Sequence, residues 1–232
     1  MADSAVLRLE GLTKRYRADR PAVLEGIELV LEPGEYLAIM GESGVGKSTL
    51  LNLLAGLDRP DGGRVVFEGV DLATLGDDPM TLLRRRAIGF VFQAFHVLPY
   101  LDVGQNVALP LELLGVGAHE RARRTAEMLE AVGIGGLARR FPRELSGGEV
   151  QRIAIARALV HRPRMVLADE PTGNLDPRSA TQILELLRTQ IKANAGAGIL
   201  ITHSRTAAET ADRIMVLDAR GLQARAPQPE PV

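Results

Sequence analysis

The 232-residue chain has no cysteine and no tryptophan, and only 3% of its residues are aromatic. The absence of cysteine excludes disulfide bonds and thiolate metal sites, and it is typical of proteins from a reducing compartment. No apolar run reaches the roughly 18 residues that a membrane-spanning helix needs. Asp3, Arg8 and Glu10 interrupt the N-terminal apolar residues, so we expect no signal peptide. These absences together predict a soluble, intracellular protein.

An excess of charge of one sign is also lacking, because 28 Lys and Arg residues face 29 Asp and Glu residues. The overall field therefore gives no reason to expect a nucleic-acid partner. Three basic clusters, at residues 84–86, 121–124 and 139–140, are typical of solvated faces, with contact to anionic lipid or to a partner's loops as the alternative. The hydrophobic content of 46% is enough for the core of one large domain or two small ones.

What the chain does contain is a glycine-rich loop, Gly41 to Thr49, that fits the phosphate-loop pattern G-x-x-x-x-G-K-[ST]. The apolar run before it predicts a buried strand, and the run after it, to Gly56, predicts a helix. Glycines let the backbone approach a ligand closely, and the loop N–H groups and the helix N-terminus together attract an anion. Lys47 adds a cation for the outer phosphates, and Ser48 offers a hydroxyl to Mg²⁺. A plain connecting turn is the alternative, which the Lys-Ser pair and both flanking runs disfavour.

Apolar runs elsewhere predict further strands, alternating with helical patterns, and so an α/β fold. The predicted strands are Val6–Glu10, Val23–Leu31, Arg64–Glu68, Ile88–Phe92, Met165–Ala168, Ile199–Thr202 and Ile214–Leu217. The predicted helices are Pro79–Arg86, His119–Val132, Glu149–Val160 and Arg178–Ala193. Residues 224–232 carry three prolines, which predicts a disordered tail.

Residues 94 to about 150 form a helical block inserted into the α/β core. Its first part, Ala94 to Gly117, is apolar and carries few charges. Internal packing and an exposed docking surface explain that stretch equally well on periodicity alone.

Three polar segments follow apolar strands, as the phosphate loop does: Gln93, Asp169-Glu170 and His203. In an open α/β sheet, ligands bind beyond the carboxyl ends of the strands, so four sequence-distant segments can meet at one nucleotide. Asp169 would hold Mg²⁺, and Glu170 could act as the base that activates water. Gln93 could orient that water or contact Mg²⁺, and His203 could bond the γ-phosphate. The alternatives are an acidic strand cap, a surface amide and a structural histidine.

The segment Leu145 to Glu149 allows two interpretations. Ser146 and Glu149 fit the S-x-x-E capping box of a helix start. Gly147 and Gly148 beside a hydroxyl at a helix start also make a second anion site. Two phosphate-binding elements in one chain suggest that the second serves the nucleotide of another copy.

With these motifs in place, the chain resembles the ATP-binding subunit of an ABC transporter. The matching segments, in family order, are Gly41 to Thr49 (Walker A), Gln93 (Q-loop), Leu145 to Arg152 (signature), Met165 to Glu170 (Walker B), Asn174 to Asp176 (D-loop) and His203 (H-loop). The resemblance covers about residues 6 to 217. It implies a single ABC ATPase domain over residues 1–223, with a P-loop NTPase (RecA-like) α/β core, an N-terminal antiparallel β subdomain and the inserted helical signature subdomain.

The resemblance also implies the cofactors, ATP and Mg²⁺, and a residue set for each task. Turnover would depend on Glu170, His203, Gln93 and Lys47, with Glu170 as the base. Mg²⁺ would be held by Ser48, Gln93 and Asp169. ATP would be contacted by Tyr16, which matches the aromatic that stacks on adenine, and by Gly41, Ser43, Gly44, Gly46, Lys47, Ser48, Thr49, Ser146, Gly147, Gly148 and Glu149.

The resemblance further implies a head-to-tail homodimer and a membrane permease that docks at Ala94–Leu114, which would place the protein at the cytoplasmic face of the membrane. Residues 169–176 and 93–111 are similar to those of the lipoprotein-release, macrolide-export and cell-division group, whose permeases transmit force. Ser204 and Gln105 depart from the Asp and Glu usual there. A nucleotide-gated clamp in a cell-envelope or cell-division complex is the alternative function, and action on nucleic acid is disfavoured by the single nucleotide site.

Overall fold

The computed structural model describes residues 5 to 224. Its strands are β1 (Leu7–Lys14), β2 (Leu24–Leu31), β3 (Tyr36–Met40), β4 (Gly62–Phe67), β5 (Val70–Asp71), β6 (Ile88–Phe92), β7 (Met165–Asp169), β8 (Ala197–Thr202), β9 (Arg213–Asp218) and β10 (Gly221–Ala224). Its α-helices are α1 (Lys47–Leu54), α2 (Asp77–Ala87), α3 (Val103–Leu113), α4 (Ala118–Ala131), α5 (Gly147–Leu159), α6 (Pro177–Ala193) and α7 (Arg205–Ala208).

The larger sheet has six strands in the order β10-β9-β3-β8-β7-β6, all parallel except the edge strand β10. Its central strands are continuous apolar runs: all of β8 is buried, and so is β7 up to Ala168. Such runs are expected where helices cover both faces of a parallel sheet. The register puts Met40 beside Thr202 and Phe92 beside Asp169, so these strands end at one edge.

The smaller sheet is antiparallel, in the order β2-β1-β4-β5, and it packs on the phosphate-loop side of the core. Leu7, Leu9, Leu31 and Phe67 point into a core that they share with the apolar face of α1. The P-loop α/β core with an antiparallel β subdomain is therefore confirmed.

The helical block contains α3, α4 and the start of α5, and it divides the apolar stretch between two roles. Val103, Val107 and Leu111 of α3 are fully buried, whereas Tyr100 is 91% exposed. Packing and an exposed apolar surface are thus both present. Gln105 completes a capping box with Asp102 at the start of α3, a bond that glutamine makes as well as glutamate does.

The structure differs from the sequence expectations at strands β1 and β10. Strand β1 continues past the predicted end at Glu10 to Lys14, which pairs with Leu24 of β2. The Lys14 ammonium group bonds Asp58 (2.8 Å) and the carbonyl of Arg59 (2.6 Å). Strand β10 was not predicted, and it reaches Ala224, the first residue of the predicted tail. The rest of that tail, residues 225–232, lies outside the described residues. Between residues 5 and 224, no helix is both long and apolar enough to cross a membrane.

Candidate active site

The carboxyl ends of β3, β8, β7 and β6 meet at one cleft of about 460 Å³. The cleft brings together the phosphate loop and the polar residues that follow the other three strands. Its lining consists of Val23, Ser43, Gly44, Gly46, Lys47, Ser48, Thr49, Gln93, Asp169, Glu170 and His203. The convergence of four sequence-distant segments follows from the strand order, in which these four strands are neighbours.

The loop is shaped by glycines at positions where other residues are strained. Gly46 has a φ of +109°, and a Cβ there would lie 3.0 Å from Val23 Cγ1. It is also the N-cap of α1, and no side chain caps that helix. The first N–H groups of α1 therefore have no partner within the helix and face the loop. Lys47 Nζ donates to the carbonyls of Gly41 and Glu42, both at 2.7 Å, so its cation is held over the loop.

Glu170 is aimed into the cleft by a backbone turn at the end of β7. Its φ is +45°, in the left-handed region that non-glycine residues rarely adopt, and such strain clusters at functional sites. The carboxylate accepts bonds from Thr202 Oγ1 (3.0 Å) and the backbone N–H of His203 (2.8 Å). His203 Nδ1 lies 2.7 Å from the same carboxylate. Both side chains are thereby fixed against each other.

Asp169 carries the second carboxylate of the cleft. Burial raises the pKa of Asp169 above its usual value, the neighbouring charge of Glu170 adds to the rise, and Lys47 opposes it. A cation in the cleft would relieve this cost. The hydroxyl of Ser48, the amide of Gln93 and the carboxylate of Asp169 line the same space, and oxygen donors of this kind suit Mg²⁺.

Gln93 is linked to the turn that follows Glu170. Its Nε2 donates to Asn174 Oδ1 at 3.4 Å, and Asn174 Nδ2 donates to the Gln93 carbonyl at 3.0 Å. The Gln93 side chain also packs on Gly173, where a Cβ would come within 2.7 Å of its Nε2. The loops after β6 and β7 are therefore in direct contact beside the cleft.

Several predicted site residues lie elsewhere. Ser146 caps α5 in a complete capping box, accepting from the N–H of Glu149 at 3.4 Å, while the Ser146 N–H donates to the Glu149 carboxylate at 2.8 Å. The capping-box interpretation is thus correct as a local structure. Ser146, Gly147, Gly148 and Glu149 do not line the cleft of their own chain.

The remaining two predicted contacts, Gly41 and Tyr16, are also absent from the cleft lining. Gly41 holds Lys47 through its carbonyl. The Tyr16 side chain is 56% exposed, donates to Asp58 Oδ2 at 3.0 Å and lies under Lys14 Nζ, which is 5.1 Å from the ring centre.

Three residues support the site in ways that were not predicted from the sequence, although Gln151 falls within the signature match. Thr202 holds Glu170, Gln151 of α5 donates to the Pro171 carbonyl at 2.6 Å, and Arg157 of α5 bonds the loop after Gln93. Gln151 is fully buried among the apolar residues of α5. A glutamine and an arginine inside that apolar pattern were the available signal, because buried polar side chains need partners.

The family model described as "ABC transporter" matches residues 24–173, which is more than half of the chain. The chain belongs to the ABC transporter family. It is 46% identical over 220 residues to the lipoprotein-releasing system ATP-binding protein LolD of Pseudomonas syringae pv. tomato, covering 94% of this chain and 97% of that protein. It is 45% identical over 217 residues to the macrolide export ATP-binding/permease protein MacB of Brucella abortus, covering 93% of this chain but only 33% of that protein.

Solved structures give the same family. The ATP-binding cassette MJ0796, in a dimeric post-hydrolysis state bound to ADP and Pi, matches with a TM-score of 0.83 and 35% identity, covering 96% of this chain and all of that one. CbiO1 from Clostridium perfringens, part of the ABC transporter complex cbiONQ, matches with a TM-score of 0.87 and 30% identity, covering 95% of this chain and 87% of that one. This protein is accordingly an ATP-binding and ATP-hydrolysing subunit of the ABC type.

Proposed function

We propose that this ATPase binds Mg-ATP in the cleft, closes over it as a head-to-tail homodimer and drives a membrane permease of the lipoprotein-release or macrolide-export type. The observation that carries the proposal is the separation of the two glycine-bearing helix starts. The phosphate loop lines the cleft, whereas Ser146 to Gly148 do not and are partly or fully exposed. The relative MJ0796 is dimeric with ADP and Pi bound, which supports a second copy as the source of the missing side.

The cleft residues divide the chemistry between them. Lys47 and the N–H groups at the start of α1 hold the β- and γ-phosphates, where developing charge is stabilised by preorganised donors. Glu170 accepts a proton from the attacking water, while His203, fixed by the Glu170 carboxylate, faces the γ-phosphate. Gln93 orients the water. Ser48, Asp169 and Gln93 would hold Mg²⁺, which neutralises phosphate charge when bound.

Two groups of proposed ATP contacts lie outside the cleft: the signature residues, which belong to closure, and Tyr16, which belongs to adenine binding. Ser146, Gly147, Gly148 and Glu149 would meet the triphosphate of the partner copy. Tyr16, whose ring is exposed beside the smaller sheet, would receive the adenine. Aromatic rings stack on bases without regard to sequence, at about 1–3 kcal/mol per contact.

A second, apolar groove supports the permease as partner. It measures about 460 Å³ and runs between the α/β core and α3 of the helical block. Its lining is Leu57, Thr81, Arg84, Arg85, Ile88, Gly89, Phe90, Phe92, Leu109, Pro110, Leu113, Arg157, Ala158 and His161. Phe92 lines this groove and the next residue, Gln93, lines the nucleotide cleft, so one loop borders both.

The name of the Brucella relative joins an ATP-binding part and a permease in one chain, and this chain spans about a third of that length. A permease segment is therefore the occupant we propose for the groove. Binding there would hold the ATPase at the cytoplasmic face of the membrane.

Glu170→Gln separates binding from turnover. The amide keeps the shape but cannot accept a proton, so ATP binding persists, turnover falls about 10²–10³-fold, and an ATP-loaded dimer accumulates. Nucleotide titration, phosphate release and analytical ultracentrifugation measure these three quantities. Glu127→Gln, on the exposed face of α4, is the matched control. Undiminished phosphate release in Glu170→Gln would remove Glu170 as the base.

Permease docking has its own test. Leu113 is 52% exposed and lines the groove, so Leu113→Glu is expected to fold, to keep basal ATPase activity and to lose co-purification with the permease. Val70→Glu places the same charge on an exposed residue of β5 and is expected to leave co-purification intact. Equal recovery of the permease with both variants contradicts docking at this groove.

A further inference from the structure

The loop that follows Gln93 is strained at two successive residues. Phe95 has a φ of +57° and His96 a φ of +47°, and neither is glycine. Both therefore occupy the left-handed region at a cost, which persists only where surrounding contacts hold it. The His96 N–H donates to the Ala94 carbonyl at 2.5 Å, so the turn is tight.

Arg157, in the last turn of α5, holds this turn. Its Nη1 donates to the His96 carbonyl at 2.7 Å, and its Nη2 donates to the Phe95 carbonyl at 3.1 Å. The rigid guanidinium fork thus bonds the two strained residues at once. Burial lowers the pKa of Arg157. The Arg157 guanidinium group bonds two neutral carbonyls, and these bonds fix the positions of those carbonyls.

The position of Arg157 connects three parts of the molecule. It lies on the helix whose first turn carries the signature, it bonds the loop beyond Gln93, and it lines the apolar groove together with Phe92. The ring of Phe92 in turn contacts the ring of His96 edge-on, with centroids 5.0 Å apart. Gln93 lies between Phe92 and the clamped turn, so Arg157 holds the chain directly after Gln93, and the ring contact of His96 links that turn to Phe92, directly before it.

We infer that Arg157 is a positioning residue for ATP hydrolysis: by clamping the strained Phe95–His96 turn, it sets where Gln93 enters the cleft. This inference rests on the proposed role of Gln93. It assigns Arg157 no contact with nucleotide. Loss of the clamp lets the turn relax towards ordinary backbone angles and carries Gln93 away from its place beside Asp169.

Arg157→Gln tests the clamp, and α4 supplies a matched control. Arg124 of α4 donates to the Val160 carbonyl at 2.6 Å, and burial lowers its pKa as it does that of Arg157, so Arg124→Gln removes a similar bond away from the loop. In Arg157→Gln we expect turnover at saturating Mg-ATP to fall about ten- to a hundredfold, as expected for a catalytic group displaced by about 1 Å, with KM nearly unchanged. Amide hydrogen exchange at residues 94–98 should accelerate in Arg157→Gln, and not in Arg124→Gln.

Relief of the strain provides a second readout. Glycine adopts a positive φ readily, so His96→Gly in the Arg157→Gln background should restore part of the lost turnover. Arg157→Lys keeps the charge but not the fork of donors, so its turnover should lie between those of the wild type and Arg157→Gln. If Arg157→Gln does not fold, Arg157→Lys takes its place in the test. Equal turnover and equal exchange in Arg157→Gln and Arg124→Gln overturn the inference. The inference is also overturned if the double variant, His96→Gly with Arg157→Gln, shows amide exchange in the loop at the wild-type rate but no recovery of turnover.

Gln93→Ala distinguishes failure of the inference about Arg157 from failure of the proposed function. If Gln93→Ala retains full turnover, the proposed role of Gln93 is wrong and the clamp has no catalytic consequence. If Gln93→Ala lowers turnover while Arg157→Gln does not, the proposed function stands and the positioning role of Arg157 is wrong.

Discussion

The phosphate loop and the signature segment both begin a helix with glycines, but they leave the helix start in different states. Helix α1 begins at Gly46 in the left-handed region, and no side chain caps it. Helix α5 begins at Ser146, which forms a complete capping box with Glu149. The start of α1 leaves its N–H groups available to a ligand. At the start of α5, the capping box already bonds some of the N–H groups and places the Glu149 carboxylate beside them.

Under the proposed head-to-tail dimer, this difference gives the two segments different roles at one nucleotide. The uncapped start of α1 lies among Asp169, Glu170 and His203 in a cleft built by four neighbouring strands. The capped start of α5 lies outside that cleft, with Ser146 and Gly147 exposed. In the proposed mechanism, a nucleotide binds to one copy first and a second copy closes over it in a later step. Variants on the two sides are expected to separate these steps.

The largest expected effect comes from the uncapped side. Lys47→Ala removes the cation held over the loop, and removal of one preorganised electrostatic group costs about 10²–10³ in rate, so turnover should fall by at least that factor. ATP affinity should fall with it, which equilibrium titration measures. Lys192→Ala, a change of the same type in α6, is the control. ATP turnover at the wild-type rate in Lys47→Ala would contradict the assignment of the cleft.

An intermediate effect is expected on the capped side. Gly148 has an ordinary backbone, and a Cβ there would approach Ser179 no closer than 3.6 Å, so Gly148→Asp should fold. Its carboxylate would face the partner's triphosphate, so turnover should fall about ten- to a hundredfold while ATP binding to the single copy is retained. In the Glu170→Gln background, the ATP-loaded dimer should disappear in ultracentrifugation.

Gly117→Asp is the matched control for that variant, because it adds the same side chain at the start of α4, where nothing lies within 4 Å. If both aspartates leave the dimer intact, the signature segment does not close over the nucleotide, and the contrast between the two helix starts has no functional meaning.

The smallest effect concerns the cap itself. Hydrogen bonds from the Ser146 side chain and backbone lower the pKa of Glu149. The stabilisation from this carboxylate is therefore fully present above its unfolded-state pKa, about 4.3, and is lost as the pH falls through the lower pKa of the folded state. Ser146→Ala should lower the free energy of unfolding by about 1 kcal/mol at pH 7, and by less at about pH 3.

Urea unfolding at the two pH values measures this difference. Glu149→Gln should remove most of the pH dependence, because the amide bonds the Ser146 N–H without titrating. A Ser146→Ala effect that is the same at both pH values would show that the carboxylate adds nothing to the cap.

Residue chemistry along the chain predicted the phosphate loop and the polar residues of the cleft, but not Val23, which also lines it. The loop at Gly41 to Thr49 and the polar residues after three apolar strands were identified because each strand end is a local pattern. The family resemblance then supplied the fold, which the structure and the relatives confirm. The roles of the individual residues, the head-to-tail dimer and the docked permease stay predictions.

The sequence could not predict contacts that depend on long-range packing. The bonds from Gln151 to Pro171 and from Arg157 to Phe95 and His96 join residues 20 and about 60 positions apart. The positive φ values of Phe95, His96 and Glu170 have no sequence signal, because no glycine marks them.

By itself, the sequence determined the chemistry at each strand end, since apolar runs and glycine loops depend on neighbours along the chain. Only the tertiary structure decided which ends meet, because the order β3-β8-β7-β6 arises from hydrogen bonds between distant strands. It also decided that the signature segment lies outside its own cleft, since the packing of α5 against the core fixes where that helix begins. The proposed division of one site between two copies is based on that geometry.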